Sequence, residues 1–105
     1  MENTKEVKIL SNRIGPRAYD VTYTIDGVSQ TREFSNCNNA FAAHTVFREI
    51  IYHNKNTKFT LKTNVTALIE DIKSLETNPR TLTRYLRNVL EESGSQIVSS
   101  VYEAV

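Results

Sequence analysis

The stretch from residue 19 to residue 34 constrains the fold of this chain more than any other. Tyr19, Val21, Tyr23 and Ile25 alternate with Asp20, Thr22 and Thr24, which is the period of a strand with two unlike faces. Asp26-Gly27 follows, and this pair suits a two-residue hairpin turn whose central residues both need positive φ. Val28 to Phe34 then returns as the partner strand. Across such a turn Ile25 faces Val28 and Tyr19 faces Phe34, so one sheet face gathers apolar pairs. Val21 opposite Arg32 is the uncomfortable pair of that register.

The flanking sequence supplies the other elements. Val7 to Leu10 is β-prone, and Ser11 to Arg17, with Gly15 and Pro16, is expected to break it as a loop. Ser35 to Asn39 offers N-cap choices for a helix running to about Tyr52, with Ala40, Phe41, Ala43, Phe47, Ile50 and Ile51 as its apolar stripe. Lys58 to Lys62 alternates with Phe59 and Leu61 inward. A second helix is expected from Thr63 or Asn64, with Val65, Leu68, Ile69, Ile72 and Leu75 on its apolar face. A third is expected from Asn78-Pro79, burying Leu82, Tyr85, Leu86, Val89 and Leu90 and stopping at Ser93-Gly94. Ile97 to Val105 reads as a last strand. The fold class is therefore α/β, a single mixed sheet in the order βββαβααβ with helices packed on it, and residues 1–105 are expected to form one domain.

Composition narrows the function classes. With 13 basic and 12 acidic residues the net charge is +1, which excludes both a polycationic tail and an acidic nucleic-acid mimic. Cys37 is the only cysteine, so neither an intrachain disulfide nor a thiolate metal cluster is expected. The polar start and the lack of a long apolar run point to the cytoplasm, with no membrane partner.

The element order resembles that of ribonuclease H-like proteins, and several stretches are similar to theirs. Gly15-Pro16-Arg17-Ala18-Tyr19 resembles the Gly-Pro-rich approach to the family's second strand. Asn38-Asn39 resembles its paired asparagines before the first long helix, and Phe59 to Asn64 resembles its fourth strand and following turn. The resemblance implies a metal-dependent nuclease whose carboxylates hold two divalent ions about 4 Å apart. At the positions matching those carboxylates stand Asn12 at the end of the first strand, Ala42 three residues after Asn39, and Asn64 after the fourth strand. The last carboxylate belongs to a closing helix for which this sequence, ending at Val105, has no counterpart. Asparagine offers a neutral carbonyl to a cation and alanine offers nothing. The resemblance, residue by residue, thus implies a scaffold without nuclease activity, cofactor or metal.

Apart from the family, chemistry-bearing patterns are sparse. Glu70-Asp71 and Glu91-Glu92 are adjacent acids pointing about 100° apart, read as solvated helix faces. His44 and His53 lack the spacing of a helical metal pair. His44 is expected at a core boundary and His53 at the helix end. Cys37 is read as a cap or small buried residue. Two binding signals remain. Arg80, Arg84 and Arg87 fall within about 60° on the third helix, opposite its apolar face, either as a phosphate-binding stripe or as a solvated face. Arg13 and Arg17 flank Ile14 and Gly15-Pro16 in the expected loop, either as a contact patch or as a strand connection.

Three functions are compatible with these readings. The first is a non-catalytic adaptor or inhibitor that binds another protein, on a small scaffold whose Asn and Thr content fits a phage or virus source; pairing of the last strand would also allow a homodimer. The second is nucleic-acid binding through the arginines, which the near-zero net charge opposes. The third is a metal-dependent hydrolase of unrecognised type.

Overall fold

A computed structural model describes residues 4–75, 77 and 81–103. The elements run β1 (Thr4–Gly15), β2 (Ala18–Ile25), β3 (Val28–Phe34), α1 (Asn39–His53), β4 (Lys58–Thr63), α2 (Thr66–Lys73), α3 (Thr81–Ser93) and β5 (Gln96–Tyr102). They build one five-stranded sheet in the order β3-β2-β1-β4-β5. The first three strands pair antiparallel, and β4 pairs parallel with β1 and with β5.

The hairpin register is the expected one. Ile25 pairs with Val28, Val21 with Arg32 and Tyr19 with Phe34, and Asp26 and Gly27 have φ of 52° and 82°. The awkward Arg32 is accommodated outside the core. Its guanidinium lies 5.0 Å over the Phe34 ring and pairs with Glu49 of α1.

Several boundaries differ from the sequence expectation. β1 does not break at Ser11. It continues to Gly15 because its edge keeps pairing with β2, through a register shift between Arg13 and Gly15. The expected loop is thereby reduced to a tight turn in which Arg17 has φ 55°. α2 starts at Thr66, since Thr63 is still paired in β4. The Asn78-Pro79 start of α3 lies outside the described residues. Gly94, at φ 69°, ends α3 as expected. β5 spans Gln96–Tyr102, beginning one residue before the expected Ile97.

Val7 and Ile9 of β1, Val21 of β2, and Phe59 and Leu61 of β4 turn to the helices and are buried. They meet Val46, Phe47, Ile50 and Ile51 of α1, Leu68 and Ile72 of α2, and Leu86, Val89 and Leu90 of α3. Phe47 and Phe59 meet edge to face at 6.0 Å, and burying each ring contributes about 1.5–3 kcal/mol. α1 lies on β1 and β2, α2 on β4 and β5, and α3 against both other helices. The opposite sheet face is largely polar, with Leu10 and Val101 among its apolar members. Thr22 and Thr31 hydroxyls meet at 3.1 Å, Thr24 and Ser29 at 2.8 Å, and Lys8 pairs with Glu103 at 2.9 Å. Among the described residues no helix is long and apolar enough to cross a membrane.

Candidate functional site

β4 ends at Thr63, opposite Ile9 of its parallel partner β1, which runs on to Gly15. Strand alternation turns Ser11 to the same face as Val7 and Ile9, toward the start of α1. There Asn64 clamps Ser11 twice. Its Oδ1 accepts from the Ser11 N–H at 2.8 Å, and its Nδ2 donates to the Ser11 carbonyl at 2.9 Å. The Ser11 hydroxyl in turn donates to Oδ1 of Asn39, the first residue of α1. Asn38 is the helix cap, its Oδ1 accepting from the Phe41 N–H at 2.7 Å. A neutral amide and hydroxyl network thus ties β1 and the end of β4 to α1.

Of the three positions matched to family carboxylates, Asn64 alone takes part. Asn12 is exposed on the opposite face, paired in register with Asp20, and Ala42 is fully buried in the core. Ser11 and Asn39 complete the cluster instead. The signal for Ser11 was its place on the Val7–Ile9 period, and for Asn39 its place second in the asparagine pair.

The arginines are spread over separate elements. Arg80 lies outside the described residues. Arg84 is exposed and Arg87 half-buried, on α3. At the β1–β2 turn, Arg13 donates from Nε to the Gly15 carbonyl and Arg17 from Nη2 to the Asn36 carbonyl, each at 3.3 Å. Cys37 is buried beside this turn, its N–H bonded to the Arg17 carbonyl at 3.2 Å.

A second polar cluster lies among the helices. Asp71, expected in solvent, is fully buried. Its Oδ2 is 2.9 Å from His44 Nε2, and its Oδ1 accepts from the Thr83 hydroxyl at 3.1 Å. One carboxylate of α2 therefore joins α1 to α3. The sequence held a signal for this: Asp71 stands three residues after Leu68 and four before Leu75, on the apolar stripe itself. His44 is likewise buried rather than at a boundary, with 7% of its surface exposed. Above it runs a groove between α1 and α3. Phe41 and Tyr85, both expected in the core, are instead 48% and 55% exposed along it. Together with His44, Thr45, Arg48, Leu82 and Leu86 they line a shallow recess. Among the described residues no group of three or more His, Cys, Asp or Glu side chains is placed to hold a metal ion.

Comparison with known proteins yields a structural likeness only. No protein-family model matches the chain. No curated protein matches it in sequence. Among solved structures, the RNase H1 of the halophilic archaeon Halobacterium salinarum NRC-1 superposes with a TM-score of 0.63 at 10% identity, covering 96% of this chain and 86% of the other. Element order, sheet topology and this superposition agree: the chain has the ribonuclease H-like fold.

Proposed function

We propose that this chain is a non-catalytic interaction module, a ribonuclease H-like scaffold that binds another protein as adaptor or inhibitor. The observation that carries the reading is the corner where β1, β4 and α1 converge. The resemblance implies two divalent ions at that place, and the residues present do not fit them. Ser11, Asn39 and Asn64 are neutral, and their oxygens are engaged with one another. Holding two dications there would need negative charge that these groups lack. Glu103, which follows β5 at the same end of the sheet, pairs through Oε1 with Lys8 of the opposite sheet face, while its Oε2 is buried without a hydrogen-bond partner. A partner surface is supported by Phe41, Tyr52 and Tyr85, which are 48%, 46% and 55% exposed on the helices. Clustered exposed aromatics beside an arginine have the composition of protein-interaction hot spots.

Nucleic-acid binding is the second reading, favoured by exposed Arg13, Arg17 and Arg84. Affinity capture from a bacterial lysate, with and without nuclease treatment, separates the two. A protein retained after nuclease treatment is the expected result. Recovery of nucleic acid, or of proteins that vanish on nuclease treatment, would transfer the function to the arginines.

A further inference from the structure

We infer that the groove between α1 and α3 seats an acidic segment of the partner protein. An apolar side chain of that segment lies between Phe41, Leu82 and Tyr85, and a neighbouring carboxylate lies on Arg48. The inference rests on the protein-binding reading above and specifies its site.

Phe41, Thr45, Arg48 and Tyr52 follow one another at helical spacing, so they form a single stripe along α1. The stripe faces away from the core residues Ala43, Val46, Phe47 and Ile50 and borders α3. At its Phe41 end the recess is walled by aromatic and aliphatic side chains, with half-buried Arg48 at the rim. His44 forms the floor, and its bond to Asp71 fixes the ring, so the recess is held in shape by three helices. A pre-shaped recess costs little ordering on binding.

Charge along the groove selects the occupant. Among the described residues lining its Phe41 end there is no carboxylate, and the adjoining recess beyond Phe41 is bordered by Arg17. The acids, Glu49 and Glu92, stand at the Tyr52 end. Glu49 is already paired with Arg32. An isolated carboxylate next to an apolar anchor therefore fits at Arg48, where a guanidinium can take it through two parallel hydrogen bonds. A continuous polyanion would run from Arg48 into Glu49 and Glu92. The same gradient thus argues for an acidic peptide over a nucleic-acid strand.

The test is a titration of the ¹⁵N-labelled full chain with three probes. One is an acetylated, amidated tetrapeptide of leucine, phenylalanine and two aspartates; the second is its bis-asparagine analogue; the third is a short oligothymidylate. Amide shifts centred on Phe41, Thr45, Arg48 and Tyr85 with the acidic peptide, weakened at least about tenfold by the asparagine analogue and by Arg48→Glu, are expected. Tyr85→Ala, a change at an exposed position, abolishes the same shifts while the remaining spectrum stays folded. Equal response to both peptides, no response of these residues at millimolar peptide, or response to the oligothymidylate alone would overturn the inference. A lysate protein retained equally by Arg48→Glu would overturn it too, while leaving the protein-binding reading intact.

Discussion

Two polar clusters among the described residues, one at the sheet corner and one between the helices, are of opposite design. At the corner of the sheet, Ser11, Asn39 and Asn64 are neutral, partly solvated and satisfied by one another across β1, the turn after β4 and the start of α1. Between the helices, Asp71 is a carboxylate with no exposed surface, reached by groups from two other helices. The first cluster is built from neutral amides and a hydroxyl where β1, the end of β4 and α1 meet. The second buries a charge-bearing group where the family resemblance implied nothing. The difference teaches that polar groups tie separate elements together at both places, but at very different energetic stakes. A neutral amide loses little on leaving water if its bonds are remade, whereas a buried carboxylate depends wholly on its partners.

Substitutions put that comparison at risk. The largest effect is expected for Asp71→Ala, which removes the buried carboxylate bonded to His44 and Thr83 and leaves α2 held to the other helices by apolar packing alone. A loss of about 3–5 kcal/mol in urea unfolding is expected. A loss below about 1 kcal/mol would make the helix cluster as dispensable as a surface pair. Asn64→Ala should cost less, about 1–3 kcal/mol, because it removes both bonds to the Ser11 backbone at a site water can partly reach. If Asn64→Ala proves the more damaging of the two, the ranking of the clusters is reversed.

How much of this was legible in the sequence follows from the range of the forces involved. The hairpin could be read because its alternation and its Asp26-Gly27 turn are local, and its register came out pair by pair. The element order was legible from alternation and helical spacing, whereas the strand order within the sheet depends on pairings between residues far apart in sequence. The extension of β1 to Gly15 could not be read, since pairing with β2 overrides the local Gly-Pro signal. Asp71 was misread by residue type, although its place between Leu68 and Leu75 marked it for burial. Phe41 and Tyr85 were misread for the converse reason. Helical spacing shows which residues share a stripe, but not how far the neighbouring helix extends to cover it. Of the candidate site, Asn64 was found through the resemblance. Ser11 was passed over for Asn12 because a one-residue shift in a strand exchanges the two faces.

The central claim, that the ribonuclease H-like corner of this chain grips structure rather than metal, is tested most directly by incubating the purified protein with an RNA–DNA hybrid in Mg²⁺ or Mn²⁺. The account predicts no hydrolysis above buffer with either ion. Cleavage that follows the protein through purification and is lost in a folded Ser11→Ala variant would contradict it.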